Sequence, residues 1–331
     1  MIAGLALVVN RLAHASFDWR LAASSVKQLH WGWVALFAVP FAGNYYARAL
    51  RWAVFLRPLK ERVSVRNLLS STVIGFAAVT LFGRPGEFVR PYLIAIKEHV
   101  PVPSQLAAWL LERIFDLLMV LLIFGFALMR LSSTGVHVGP RLSWVLVVGG
   151  RLVAISCLVI LLLLLSFRHF AEPFRRWLTA ATRFLPEKHY KKIQHLISTF
   201  VQGIESVRSD GAMIQVFVYS VLVWATIAGC YWCMLQSYDG ALPLTAWGLL
   251  IFLGFSSFGA AVQLPGIGGG IQVVMVVVLT ELFHVKLEVA TSYAVVSWFI
   301  TFIVVVSAGV LVALKEGLDW HSLRKLGREA V

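Results

Sequence analysis

Apolar residues run along this chain in blocks long enough to cross a bilayer, which takes roughly 20 residues as a helix. Full spans are predicted at 31–56, with Trp31 and Trp33 as interfacial anchors, and at 105–129, 144–167, 213–238 and 289–314. Two further apolar stretches are interrupted. The first, 67–82, is short for a crossing and runs into Leu81-Phe82-Gly83-Arg84-Pro85-Gly86-Glu87-Phe88-Val89-Arg90-Pro91, then into a short apolar piece at 91–96. The second, 244–262, runs into Gln263-Leu264-Pro265-Gly266-Ile267-Gly268-Gly269-Gly270 and resumes over 271–283. Charges and helix breakers at membrane depth are tolerated only where protein or water surrounds them, so each interrupted stretch reads as a re-entrant unit. Residues 1–9 are apolar but about half a bilayer long. They lack the basic start and small-residue cleavage site of a signal peptide, and read either as the truncated end of a first span or as a sign that the true start codon lies upstream.

The polar stretches orient these elements. Residues 168–210 carry eight Lys/Arg against four Asp/Glu, with Phe170, Phe174, Trp177 and Leu178 at helical spacing. That pattern predicts basic amphipathic helices on the membrane surface. This segment and the tail are richest in Lys and Arg, which places both, and so the C-terminus, in the cytoplasm. Counting spans back makes the segment 31–56 end inside, as its basic loop at 57–62 independently indicates. The break at 83–91 then begins and ends on the cytoplasmic side, and the break at 263–270 begins and ends outside. One membrane domain is expected, built of two inverted repeats, 31–129 and 213–314. In transport folds with that pattern the site forms where discontinuous helices meet near the midplane. Gly75-Phe76-Ala77-Ala78 and Gly254-Phe255-Ser256-Ser257 precede the two breaks at similar distances.

Composition agrees. Of 331 residues, 59% are hydrophobic and 14% charged, and the mean hydropathy is +0.82. A soluble domain carries charges on about a quarter of its residues, so the fold class is an all-α polytopic membrane protein. The net charge of +13 resides mainly in short loops that meet an anionic membrane surface. No nucleic-acid module is visible, and nucleic acid is not expected as a partner. Cys157, Cys230 and Cys233 all lie in apolar runs and read as packing residues, although Cys230 and Cys233 share a C-x-x-C spacing. The glycines of both breaks lack the Lys-Ser/Thr and the preceding strand of a phosphate loop. With no G-x-S-x-G and no metal-ligand spacing among the histidines, no catalytic residue, metal or cofactor is expected.

The charges inside the spans carry the candidate chemistry. Asn44, Arg48 and Arg51 fall at i, i+4 and i+7, on one helix face. Arg48 lies eight residues before Leu56, about 12 Å from that helix end at 1.5 Å per residue. Both arginines either face the protein interior or snorkel to the headgroups. Glu112 and Asp116 share a face at i and i+4, while Arg113 points about 100° away from Glu112. They form either a structural ion-pair knot or a polar vestibule in which arginines hold a phosphate. Arg84, Glu87 and Arg90 bracket Pro85-Gly86, a turn between half-helices. There Glu87 caps a helix start, or the backbone N–H groups bind an anion.

With Arg48-x-x-Arg51-Trp52, Gly83-Arg84-Pro85-Gly86-Glu87-x-x-Arg90, Glu112-Arg113-x-x-Asp116 and Pro265-Gly266-x-Gly268, the chain resembles the lysylphosphatidylglycerol synthase transmembrane-region family. That is the flippase-like part of the multiple peptide resistance factor, related to membrane proteins of hopanoid synthesis and dolichol-linked glycosylation. The resemblance covers nearly the whole chain. It implies a helical bundle with two re-entrant segments in the bacterial cytoplasmic membrane, moving or presenting a phospholipid or a polyprenyl-linked lipid. Only a short tail follows the last span, without the aminoacyl-transferase domain of bifunctional relatives, so lysyl transfer is not expected. Two positions depart from the pattern. Gln272 stands where relatives have an acidic residue, and Val296-Ser297-Trp298 lacks their arginine.

The leading expectation is a lipid flippase-like transporter. Arg48, Arg51, Arg84, Arg90 and Arg113 with Glu87, Glu112 and Asp116 form its substrate site. Pro85, Gly86, Pro265, Gly266 and Gly268 supply the hinges, and Gln263 and Gln272 the polar groups of the second repeat. The alternatives are a membrane-embedded enzyme or subunit of lipid or lipid-linked sugar transfer, and a scaffold that recruits a lipid-biosynthesis enzyme through Arg175 and Arg176.

Overall fold

The computed structural model describes residues 17–133, 151–162, 194, 196, 198–203, 209–259, 263–264 and 268–317. The readings of residues 1–9, of Pro265 and Gly266, and of most of 144–167 and 168–210 lie outside these residues. The described helices are α1 (Trp19–Lys27), α2 (Trp31–Leu36), α3 (Ala38–Leu56), α4 (Val65–Phe82), α5 (Val89–Glu98), α6 (Val102–Ser133), α7 (Arg151–Leu162), α8 (Asp210–Gln236), α9 (Ala246–Gly259), α10 (Gly270–Glu281) and α11 (Leu287–Lys315). By length and composition α4, α8 and α11 are apolar enough to cross a membrane. The chain is an all-helical, multi-pass membrane protein. Among the described residues, β structure is limited to a two-residue antiparallel ladder, Gln263–Leu264 against Gly268–Gly269, which closes the second break.

Three local features differ from expectation. The predicted span 31–56 is two helices that meet at Phe37. Pro40 has no N–H to give to the carbonyl of Leu36, whereas Phe37 and Phe41 continue the ladder to Trp33 and Phe37 at 3.0 and 3.1 Å. The stretch read as too short for a crossing is an 18-residue helix, because Ser64 caps it and it starts at Val65, ahead of the first apolar run. Helix α1 had no counterpart in the hydropathy pattern. Its start is fixed by Asp18, whose carboxylate accepts the N–H groups of Arg20 (2.8 Å) and Leu21 (3.2 Å), and it packs against α11.

Helix α4 sits among α3, α5 and α11, and α8 lies along the other side of α3. After α4 the chain turns at Gly83, whose φ of 70° is a conformation that suits glycine. It then makes a single 3-10 turn (Arg84–Phe88) and returns as α5 along α4. The hairpin is tied at its open end. There the buried Glu98 carboxylate accepts from Lys60 Nζ and Asn67 Nδ2, both at 2.7 Å. Glu98→Ala should lower the stability in detergent by about 2–3 kcal/mol, the scale of charged hydrogen bonds lost around one buried group. An unchanged thermal midpoint would show that the hairpin base does not depend on this carboxylate. The second hairpin, α9 and α10, packs side by side across the β ladder. Of the described part of 168–210, residues 198–203 are helical and pack on the first turns of α6, where Gly203 faces Ser104 and Ala107.

Candidate functional site

The predicted spacing on α3 and α6 brings their charges together. Arg51 is fully buried, with no exposed side-chain area, and is clamped between two helices. Its Nη2 donates to Glu112 Oε1 at 2.5 Å, and its Nη1 donates to Asp116 Oδ1 at 2.7 Å and to Ser220 Oγ of α8 at 3.0 Å. The snorkelling alternative for Arg51 is therefore excluded, since two carboxylates and a hydroxyl satisfy it inside the bundle. Arg90 enters from α5. Its Nη1 donates to both oxygens of Glu112 at 3.1 and 2.9 Å, and its guanidinium stacks 4.2 Å above Trp52. Trp52 is itself fixed by Nε1 donating to Gln105 Oε1 at 2.9 Å. This approach of α5 needs Gly75, because a Cβ there would lie 2.5 Å from the Cβ of Arg90.

Arg48 is held more loosely. Its Nε donates to Asn44 Oδ1 at 3.0 Å, while Nη1 lies 3.5 Å from Glu112 and 3.8 Å from Asp116. Its guanidinium rests 4.9 Å over Phe76 of α4, and 11% of its side chain is exposed. Asn44 in turn donates to Val223 O and Thr226 Oγ1, both at 3.0 Å. Three guanidiniums thus share two carboxylates, which leaves one buried positive charge in excess. The Nε atoms of Arg51 and Arg90 are buried and have no hydrogen-bond partner.

The first break holds a second group. Glu87, with 7% of its side chain exposed, accepts Arg84 Nη1 at 2.8 Å on one oxygen, and Arg113 Nη2 lies 3.3 Å from the other. Arg84 and Arg113 are 52% and 41% exposed. Glu87 therefore does not serve α5 as its cap: the N-cap residue is Phe88, and guanidiniums take the carboxylate. Arg113 points about 100° away from Glu112 on α6, so these two neighbours serve different groups. The eight charged residues expected to form one site form two, a buried one around Glu112 and an outer one around Glu87.

Beside the buried group lies a cavity of about 350 Å³, walled by α3, α4, α8, α11 and the start of α10. Asn44, Tyr45 and Phe76 bound it on the side of Arg48. Both hairpins reach it, the first through Phe76 and Thr80 and the second through Gly269 and Gln272. Gln272 Oε1 accepts the N–H of Gly269 at 2.7 Å and so caps α10. Gly268 pairs with Leu264 in the β ladder, while the side chain of Gln263 lies outside the described residues. Cys230 lines the cavity and Cys233 packs in the core, both as free thiols. No group of His, Cys, Asp or Glu suited to a metal occurs among the described residues. Phe76 was hinted at by the residues shared ahead of the two breaks, whereas Ser220, an ordinary serine in an apolar helix, carried no signal.

The family model described as the lysylphosphatidylglycerol synthase TM region matches residues 1–309. The glycosyltransferase AglD of Haloferax volcanii is 32% identical over 103 residues, 31% of this chain. That match spans 16% of the relative's length. No solved structure matches. Matched over 1–309, the chain belongs to the lysylphosphatidylglycerol synthase transmembrane-region family.

Proposed function

We propose that this protein binds the phosphate of a membrane lipid at the Arg48 end of the cavity and moves that lipid between the leaflets of the bacterial cytoplasmic membrane. The observation that carries this reading is the buried arginine excess beside an apolar cavity that both hairpins line. A buried cation without a counter-charge is costly, and a bound phosphate relieves it. The cavity gives the uncharged part of the same molecule an apolar surround. In this reading α4–α5 and α9–α10 are the re-entrant hairpins of two inverted repeats, 31–129 and 213–314. The segment 168–210 and the C-terminus face the cytoplasm. Pro85-Gly86 and Pro265-Gly266 are the points about which the hairpins move. Two matching contacts support the repeat: α4 packs on α11, and α9 packs on α6. The exposed Arg84 and Arg113 form the entry, where a headgroup first meets the protein.

The test is reorientation of a labelled phosphatidylglycerol in proteoliposomes. Arg48→Gln should slow it by about tenfold or more, on the scale of one charge-assisted contact. Arg84→Ala and Glu87→Gln should slow it as well. Unchanged rates in all three variants would remove the transport reading. The likeness to a glycosyltransferase over 103 residues favours a second reading, a membrane-embedded subunit or enzyme of lipid-linked sugar transfer. That protein would bind the lipid through the same arginines, show no reorientation, and support transfer of a sugar to the lipid.

A further inference from the structure

The charges around the cavity bear on which lipid headgroup it takes, an inference that rests on the lipid-phosphate reading. The carboxylates of the two charged groups are already engaged, Glu112 and Asp116 by Arg48, Arg51 and Arg90, and Glu87 by Arg84 and Arg113. The cavity has no Asp or Glu among its described lining residues, and the sequence 260–268 contains none. Its polar side chains are uncharged, among them Asn44, Tyr45, Thr80, Gln272, Ser297 and Thr301. Where Glu87 follows the Pro-Gly turn of the first break, Gln272 follows that of the second, in the first turn of α10. Its amide oxygen is taken by Gly269, so what it has left to offer a ligand is an N–H donor.

An ammonium group entering this space would meet the arginine excess with no carboxylate to answer it. Aromatic faces attract cations, but among the lining aromatics Phe76 already lies 4.9 Å from Arg48 and 5.9 Å from Arg90, and Tyr45 packs against Phe76 at 5.5 Å. Hydroxyl and amide groups suit instead the oxygens of a phosphate and the hydroxyls of glycerol or a sugar. We propose that the protein selects anionic lipids whose phosphate is unsubstituted or carries an uncharged, hydroxyl-bearing headgroup, and rejects lipids bearing an ammonium, aminoacylated phospholipids among them. Gln272 and the arginine excess set that selection, by an attractive element for one headgroup and a repulsive one for the other. The chain would then differ in substrate charge from the cationic lipid for which its family is named.

The full-length protein is equilibrated with vesicles of equal phosphatidylglycerol and lysylphosphatidylglycerol in a phosphatidylcholine matrix, re-isolated, and its bound lipids weighed by native mass spectrometry. Wild type should retain phosphatidylglycerol over the lysylated lipid by about tenfold or more. Gln272→Glu should bring the two within about threefold of each other, because a carboxylate beside the cavity offsets the arginine charge. The variant keeps the cap on Gly269, and a carboxylate suits a helix N-terminus, so the fold is retained. Thr80→Glu places a carboxylate on the opposite hairpin and should shift the ratio the same way. Equal retention of both lipids by wild type, with phosphatidylglycerol still lost in Arg48→Gln, overturns charge selection and leaves the lipid-phosphate reading standing. Retention of neither lipid above the matrix overturns that reading and this one together. An unchanged ratio in both carboxylate variants also overturns the assignment.

Discussion

Replacing Glu112 with glutamine should lower stability by about 3–5 kcal/mol, the range for breaking a buried ion pair from one side. Glu112 is the hub of the buried group: it bonds Arg51 and Arg90 directly and lies 3.5 Å from Arg48. Glutamine preserves the shape but removes the charge. It also turns an NH2 toward guanidinium N–H groups that have only donors to offer. Asp116 is then the one carboxylate left for three arginines. At an effective dielectric of 20, each unit charge pair about 4 Å apart interacts by about 4 kcal/mol, so neither side of that imbalance is small. The cause is separable from lost packing by a second change. Arg90→Met removes one cation and keeps an apolar chain over Trp52, so the double variant should be more stable than Glu112→Gln alone. Thermal unfolding in detergent measures both. A single-variant loss below about 1 kcal/mol, or a double variant at least as unstable as the single, would mean that the group is not held by charge balance.

The faces of this site were legible in the sequence, and its partners were not. Helical spacing put Arg48 with Arg51 and Glu112 with Asp116, because both depend only on the period of one helix. Burial was not legible where it depends on rotation about the helix axis. Counting residues to the helix end set Arg51 nearer the headgroups than Arg48, yet Arg51 is the more buried because it points between α6 and α8. Arg84 and Arg90 looked equivalent around Pro85-Gly86. The first lies in a 3-10 turn and the second in an α-helix, and that change of pitch sends one outward and the other under Glu112. The two hairpins were visible as breaks in hydropathy, since glycine, proline and charge interrupt apolar runs abruptly. The cavity was not, because Phe41, Phe76, Met275 and Phe302 come from four helices and each reads as an ordinary span residue. Gln272 stood out as a departure from its family, but its role as the N3 side chain that caps α10 was hidden because Gly269, not Ser or Thr, stands at the N-cap.

Gly86→Ala should destabilise the protein by about 3 kcal/mol, at the upper end for an added methyl in a packed interior. The new Cβ would fall against the carbonyl of Ala78 and the N of Val79, which are backbone atoms of α4. Side chains yield by changing rotamer, whereas a backbone held in the i→i−4 ladder does not. The 3-10 turn would therefore have to lift away from α4. It would take Glu87 and the start of α5 with it, and so draw Arg90 off Glu112. Loss of the buried ion pair adds to the strain, and retention of anionic lipid should fall in the same variant. Gly211→Ala supplies the contrast. It lies in the first turn of α8 with nothing within 4 Å of the added methyl, so the lower chain entropy of alanine should stabilise it by about 0.4–1 kcal/mol. The same substitution is thus expected to change sign with its surroundings. If the two variants unfold at the same temperature, the turn does not pack on α4 as described, and the route by which the first break positions Arg90 fails with it.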